Sequence, residues 1–158
     1  MTAAASILLA SASRKSMPRE TSMSAASENK LAGAGGFINI SQNAKKLLLA
    51  GTFTAGGLNI EVTQGKLTIA QEGRSQKFID KVEQITFSGT YAAQTGQPVF
   101  YVTERCVFQR TVQGMELIEI APGIDIEKDI LQHMSFKPLI NNPRPMDARI
   151  FKPEPMGA

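Results

Sequence analysis

A glycine-rich run in the first third of the chain most constrains how the backbone can fold. Three of the four residues in Gly33-Ala34-Gly35-Gly36 are glycine, and Phe37 follows at once. Without a Cβ, glycine lets the backbone turn sharply and approach another group closely. Consecutive backbone N–H groups in such a run can point at an oxyanion or at a thioester carbonyl oxygen. A loop that only turns the chain between two strands has the same composition, so both interpretations stay open.

The segments after this run predict strands. Phe37 to Ile40 and Lys46 to Ala50 are short apolar runs bounded by polar residues or glycine, which favours buried strands. Apolar and polar residues alternate in Leu58 to Thr63 and again in Lys66 to Ala70. Gln64-Gly65 separates these two runs, which predicts a hairpin with glycine in its turn.

The second half of the chain predicts a further hairpin and one helix. Val82 to Phe87 and Val99 to Val102 are strand-like, and the hairpin strands are Val107 to Val112 and Met115 to Ile120, turning at Gln113-Gly114. After Pro122-Gly123, the Asp125 carboxylate can cap a helix with an apolar stripe. That stripe consists of Ile126, Ile130, Leu131 and Met134. From the residues alone, the pattern indicates a β-rich α+β unit.

Composition indicates a single soluble globular domain in a reducing compartment. The 158 residues are 42% hydrophobic and 20% charged, and the 17 basic and 14 acidic residues give a net charge of +3. The basic residues are scattered, so we expect no nucleic-acid partner. No apolar run reaches membrane-spanning length, so we expect no membrane partner. A single cysteine excludes an intramolecular disulfide, and we expect a cytoplasmic location.

Both ends of the chain differ in composition from the middle. Residues 1–27 are rich in alanine and serine and carry Arg14, Lys15 and Arg19. This bias is typical of a mitochondrial presequence, which makes the mitochondrial matrix the alternative location, but a disordered leader has it too. Residues 141–158 contain four prolines, which predicts an irregular tail over a surface. We therefore divide the chain into a leader at 1–30, a domain at 31–140 and a proline-rich tail at 141–158.

Several long motifs in the middle of the chain resemble one enzyme family. They run in order from about Leu31 to Ile140 and comprise residues 33–57, Tyr101 to Arg105 with Val107-Phe108, Met115 to Asp125, Asp129 to Leu131 and Phe136 to Pro138. Together they resemble the C-terminal half of a family I coenzyme A transferase of the single-chain acetate or short-chain acyl type. The resemblance implies an α/β fold, part of an open α/β C-terminal domain with a β-rich hairpin elaboration and a late helix.

The resemblance also implies a chemistry. In that family a glutamate carboxylate attacks the acyl-CoA thioester, and an acyl-glutamyl anhydride and then a glutamyl-CoA thioester form. Gly33, Gly35, Gly36 and Phe37 match the family loop whose backbone amides hold the oxyanion and the thioester carbonyl. The nucleophile motif lies well upstream of that loop. Ser27-Glu28-Asn29 copies part of it, but Lys30 replaces the glycine, so we assign no catalytic residue and interpret Glu28 as a polar linker residue.

Other reactive side chains receive structural interpretations. Cys106 alternates within a strand and is expected to be a small buried hydrophobe. Glu104 and Arg105 are expected to form structural ion pairs with groups elsewhere and to take no part in catalysis. His133 is expected on the solvated side of the helix. Lys45-Lys46 suits a solvated turn, with contact to coenzyme A phosphates as the alternative. No second histidine or cysteine lies at ligand spacing, so no metal is expected. The resemblance implies no bound cofactor, with coenzyme A as a substrate.

Three functions remain open from the sequence. The chain is an inactive fragment of a coenzyme A transferase of short-chain fatty acid or ketone body metabolism, with acetate or a 3-oxo acid as acceptor. Alternatively, it is a subunit of a split transferase, or a non-catalytic interaction module. The implied partners are an acyl-CoA, a short-chain carboxylate and a missing N-terminal part or partner subunit. We also expect a homo-oligomer.

Overall fold

The computed structural model describes residues 35–80, 87–152 and 154. Two α-helices are present in these ranges, α1 (Gly35–Asn43) and α2 (Gly89–Gln94). Nine strands accompany them: β1 (Leu47–Ala50), β2 (Thr54–Ala55), β3 (Asn59–Thr63), β4 (Lys66–Gln71), β5 (Ser75–Gln76), β6 (Val99–Val102), β7 (Cys106–Thr111), β8 (Gly114–Ile120) and β9 (Leu139–Pro145). None of the described helices combines the length and apolar character needed to cross a membrane.

A five-stranded sheet in the order β1-β6-β7-β8-β9 organises the molecule. The two outer pairs, β1 with β6 and β8 with β9, are parallel, and the two inner pairs are antiparallel. Strands β2 with β5 and β3 with β4 form two further antiparallel pairs. This mixed arrangement, with helices beside a central sheet, confirms the predicted α/β class.

Both predicted hairpins are present. β3 and β4 meet at Gln64-Gly65, where φ is 53° and 75°. Two consecutive residues with positive φ give the turn whose twist matches that of the flanking strands. β7 and β8 are joined through residues 112–113. The strands predicted at Lys46 to Ala50 and at Val99 to Val102 are also confirmed, as β1 and β6.

Two predictions about secondary structure were wrong. Phe37 to Ile40 was expected to be a buried strand, but these residues belong to helix α1. The irregular tail was expected from Asn141, but residues 139–145 form strand β9 at the edge of the main sheet. The chain then turns through a short 3-10 helix, Ala148–Phe151, and buries Met146 and Phe151. Of the strand predicted at Val82 to Phe87, residues 82–86 lie outside the described residues.

The predicted late helix is short and irregular. A π-helical turn, Ile126–Ile130, continues into a 3-10 turn, Leu131–His133. The Asp125 carboxylate accepts a hydrogen bond from the backbone N–H of Lys128 at 2.8 Å, as predicted for a cap. Of the four residues in the predicted apolar stripe, Ile130 is fully buried. The helix covers one side of the main core.

The main core lies between the large sheet and these helical segments. Its centre is aromatic: the rings of Phe53, Phe78 and Phe108 lie with centroids 4.7 to 6.4 Å apart. A second, smaller cluster joins Leu67 of the β3–β4 hairpin to residues of the sheet and of the C-terminal segment. The hairpin is held to the body of the molecule there, since the Leu67 N–H donates to the carbonyl of Pro122 at 2.7 Å.

Candidate functional site

The glycine-rich run opens helix α1 instead of forming a loop. Gly35, Gly36 and Phe37 make up its first turn, while Gly33 lies outside the described residues. The first N–H groups of a helix have no acceptor within the helix, so those of this turn can donate to another group, as those of the predicted loop would. Gly36 is exposed, and a Cβ built on it would meet nothing within 4 Å. Phe37 packs against the main core and so fixes the turn.

Hydrogen bonds fix the other end of α1 to the amino ends of two strands. The Gln97 side-chain amide donates to the carbonyls of Ser41 and Ala44, at 2.7 and 2.6 Å. The Leu47 N–H then donates to the Pro98 carbonyl at 2.9 Å. These contacts hold α1 beside the point at which the parallel strands β1 and β6 begin.

The carboxyl ends of β1 and β6 lie side by side at the other end of these two strands. A group of polar residues follows them. After β1 the chain continues as Gly51-Thr52-Phe53, and after β6 as Thr103-Glu104-Arg105. The Gly51 N–H donates to the Val102 carbonyl at 3.0 Å, and the Phe53 N–H donates to Glu104 Oε2 at 2.8 Å. In open α/β sheets, ligands bind outside the carboxyl ends of the strands, so the group is a candidate site.

Arg105 is the most deeply buried charge in this group. Its side chain is 0% exposed, and its guanidinium donates to both carboxylate oxygens of Glu72, at 2.7 and 3.0 Å. It also donates to Glu104 Oε1 at 2.7 Å and to the carbonyl of Asp129 at 2.8 Å. The ring centroid of Phe53 lies 4.6 Å from the guanidinium carbon. Because the guanidinium is occupied by these partners, Arg105 has a structural role. The predicted structural ion pairing of Arg105 is confirmed, with the distant residue Glu72 as one partner and the adjacent Glu104 as the other.

Glu72 links this cluster to the late helix. Burial alone would raise the pKa of Glu72, but hydrogen bonds from Arg105 and Thr54, the positive charge of Arg105 and the N–H of Gly73 lower it to about 2. His133 Nε2 lies 3.4 Å from Glu72 Oε2. His133 was expected on the solvated side of the helix, but its side chain is 30% exposed and faces this carboxylate.

Lys77 is a second buried cation near the carboxyl ends of β1 and β6. The residue is 5% exposed, and its Nζ donates to Thr52 Oγ1 at 2.7 Å. Burial lowers the pKa of Lys77, although the negative charge of Glu104 acts in the opposite direction. Lys77, Thr52 and Glu72 could not be identified from the sequence, because their positions depend on pairings between distant segments. Only the proximity of Thr52 to the end of a predicted strand could have indicated this part of the sheet.

The remaining candidates have structural environments. Cys106 is completely buried, and burial raises the pKa of its thiol, so the prediction of a buried small hydrophobe is confirmed. Lys45 and Lys46 are exposed near the amino end of β1, where Lys46 Nζ lies 4.9 Å from the ring centroid of Phe100. Glu28 lies outside the described residues. Within the described ranges, no three histidine, cysteine or carboxylate side chains are placed to hold a metal ion.

Comparison with known proteins identifies close relatives of this chain. It is 51% identical over 129 residues to the acetate CoA-transferase YdiF of Escherichia coli strain K12, and 51% identical over 124 residues to a caffeate CoA-transferase of Acetobacterium woodii. These matches cover 81% and 78% of this chain but only 24% of each relative. The chain therefore spans about a quarter of the length of these curated relatives. No protein-family model matches it.

Solved structures agree with the sequence comparison. The acyl-CoA transferase YdiF apoenzyme of Escherichia coli O157:H7 superimposes with a TM-score of 0.81 and 46% identity, covering 88% of this chain and 27% of that one. A thioester complex of the same enzyme with CoA superimposes with a TM-score of 0.79 and 48% identity, covering 84% of this chain and 26% of that one. The resemblance predicted from the glycine run and the later motifs is confirmed. The chain is thus a homologue of the C-terminal part of the coenzyme A transferases, related to them in both sequence and fold.

Proposed function

We propose that this chain forms part of an enzyme that transfers coenzyme A between a short-chain acyl-CoA and a carboxylate. The observation that supports this most is the combination of 51% sequence identity with a TM-score of 0.81 to acyl-CoA transferases. Two relatives of equal identity are named for acetate and for caffeate, which differ greatly in size. This supports a role for the chain in the shared transfer chemistry, with acceptor choice determined mainly by other segments.

In this proposal the first turn of α1 stabilises negative charge. A carboxylate nucleophile supplied by another segment attacks the thioester, and the N–H groups at Gly35, Gly36 and Phe37 donate to the developing oxyanion. The short connection of residues 44–46 and the packing of Phe37 on the core support a helix running antiparallel to β1. The first turn then faces the edge at which β1 and β6 end, where ligands of open α/β sheets bind.

Complementation with the missing segment tests the proposed function. The 158-residue chain would be co-expressed with the portion of the Escherichia coli acetate CoA-transferase that precedes the matched region. Transfer of coenzyme A from acetyl-CoA to propionate would be measured for the complex and for each part. We expect activity in the complex and none in the chain alone, because its sequence contains no full match to the nucleophile motif. A complex that assembles but transfers nothing would favour the interaction module.

A variant at the glycine turn separates a chemical role from a structural one. In the complex, Gly36→Val is expected to lower the rate while assembly is unchanged, because the branched side chain blocks the close approach of the thioester to the backbone N–H groups. The expected loss is about 10²–10³-fold, the size of effect that follows when an oxyanion donor can no longer act. The substitution should be tolerated by the fold because the space around Gly36 is open. Asn39→Val, which places the same side chain at an exposed position of α1, is the matched control and should keep full activity. Equal rates for both variants would contradict a role for the turn in the chemistry.

A further inference from the structure

Lys77 combines deep burial with an incomplete set of hydrogen bonds. An ammonium group has three donors, yet among the described residues Lys77 Nζ makes one hydrogen bond, to Thr52 Oγ1. The Thr52 hydroxyl donates its own proton to the Thr54 carbonyl at 2.7 Å, so it can offer Lys77 only a lone pair. The nearby carboxylate of Glu104 is held by Arg105 and by the Phe53 N–H. The ammonium therefore retains donors for a further acceptor.

The space beside Lys77 has the size of a single oxygen atom. A cavity of about 10 Å³ is lined by Lys77 together with Gly51, Thr52, Thr103 and the aromatic residues Phe78 and Tyr101. This volume is close to that needed by one water molecule. It could hold one oxygen of a carboxylate that enters end-on.

The exposed position of Gly51 gives access to the cavity beside Lys77. This residue is exposed, and a Cβ built on it would lie 3.9 Å from Lys77 Nζ. The ammonium therefore lies directly behind a surface position that has no side chain. Gly51 also sits where β1 ends beside β6, at the edge of the sheet where ligands bind.

We propose that Lys77, Thr52 and Gly51 form a binding subsite for one carboxylate oxygen of a short-chain carboxylic acid. The proposal rests on the proposed function only in identifying the carboxylate with the acceptor substrate. A buried ammonium binds a carboxylate oxygen through a charge-assisted hydrogen bond, which is stronger than a neutral one. The oriented Thr52 hydroxyl keeps Nζ aimed at the cavity. Lys77 would thus fix the position of the acceptor without taking part in bond formation.

Side-chain NMR of lysine tests the subsite without catalysis. The labelled chain is kept in solution by the unlabelled preceding transferase segment, and acyl-CoA is left out. Sodium acetate would be titrated into the labelled chain, with sodium chloride at the same ionic strength as the comparison. The Lys77 signal is identified by its loss in Lys77→Met. We expect a saturable shift of that signal with acetate, and none with chloride. A shift common to both salts, or no saturation with acetate, would overturn the proposal.

Two variants distinguish a specific site from a general charge effect. Gly51→Val keeps the lysine but fills the gap in front of it, and should weaken acetate binding about tenfold or more, the usual consequence of losing a hydrogen bond to a charged group. Lys128→Met removes an exposed lysine elsewhere and should leave binding unchanged. Unchanged binding in a folded Gly51→Val chain would overturn the subsite. Acetate binding by a chain that never supports transfer in the complemented complex would instead overturn only the proposed function.

Discussion

Arg105 joins three parts of the chain that are far apart in sequence. Its partners are Glu72 after β4, Glu104 after β6 and the backbone of Asp129 in the late helix. All of these contacts lie near the carboxyl ends of β1 and β6. The polar cluster of Arg105, Glu72 and Glu104 lies there next to the apolar main core. Removing the guanidinium leaves two carboxylates without their cation, and breaking a buried ion pair in this way is strongly destabilising.

We predict that Arg105→Ala lowers the free energy of unfolding by about 3–5 kcal/mol. Arg105→Lys should recover only part of this loss, because an ammonium cannot donate to both oxygens of Glu72 in the same planar geometry. Urea denaturation followed by circular dichroism measures both values. Arg149→Ala, which removes an exposed ion pair with Asp147, is the control and should cause no measurable change. Similar losses for Arg149→Ala and Arg105→Ala would contradict the role of the buried cluster.

Glu72 should make the folded chain sensitive to acid. Its pKa is about 2 in the folded chain against 4.5 for the free side chain, so the ionised form stabilises the fold above pH 4.5. This contribution, which solvent around the partly exposed carboxylate reduces, is lost as the pH falls from about 4.5 towards 2. We predict that Glu72→Gln flattens the pH dependence of unfolding in that window. Asp147→Asn should not flatten it to the same extent, since Asp147 is exposed and its pKa is lowered by Arg149 alone.

At the scale of elements, Gly123 controls how the β3–β4 hairpin docks on the sheet. Its φ is +95°, and a Cβ built there would lie 2.6 Å from the Leu67 carbonyl oxygen. The same hairpin residue donates its N–H to Pro122. A side chain at position 123 would therefore separate the hairpin from the second core cluster, in which Leu67 is buried.

We predict that Gly123→Ala destabilises the chain by roughly 3 kcal/mol, through backbone strain and steric overlap together. Gly114→Ala is the matched control, because Gly114 also has a positive φ, +143°, but open space around it. It should cost only the strain contribution. Thermal unfolding of the two variants gives the comparison, and equal midpoints would mean that the close approach of Leu67 does not limit stability.

The sequence predicted strands and turns correctly where residues close together in the chain determine them. The Gln64-Gly65 turn and the alternation on either side specify a hairpin with few alternatives. The prediction of a strand at Phe37 to Ile40 was wrong because a four-residue run, three of whose residues are apolar, has no period that separates a strand from a helix. β9 was missed because Pro143 and Pro145 suggest an irregular tail. Proline is tolerated there because, in the part of the chain that the structure describes, β9 is an edge strand with only β8 beside it in the sheet.

At the scale of the whole molecule, the polar cluster could not have been predicted from the sequence. Glu72 and Arg105 are 33 residues apart, and Thr52 and Lys77 are 25 apart. No short-range sequence pattern links such positions. Their contacts depend on how the strands are arranged in the folded chain. The family motifs, in contrast, are long enough to indicate a relationship to the coenzyme A transferases without knowledge of these contacts.

Apolar side chains remain exposed around the β1 edge of the main sheet. Ile40 on α1 is 73% exposed and Leu48 in β1 is 58% exposed. Leu48 also lines a groove of about 360 Å³ on the face of the sheet that carries the second core cluster, together with Phe100, Ile118 and Ile150. Within the described residues, β1 pairs with β6 on one side only. An unpaired strand edge beside exposed apolar surface favours association with other chains.

We predict that the purified chain forms oligomers or aggregates, and that adding the preceding transferase segment suppresses them. Static light scattering of the chain with and without that segment measures the effect. Leu48→Lys should reduce scattering by the chain alone, because a charged side chain on an edge strand opposes pairing and covers the groove poorly. Val112→Lys changes an equally exposed side chain on the β7–β8 turn and should leave scattering high. A monodisperse monomer in the absence of the segment would contradict this prediction and support an independent interaction module.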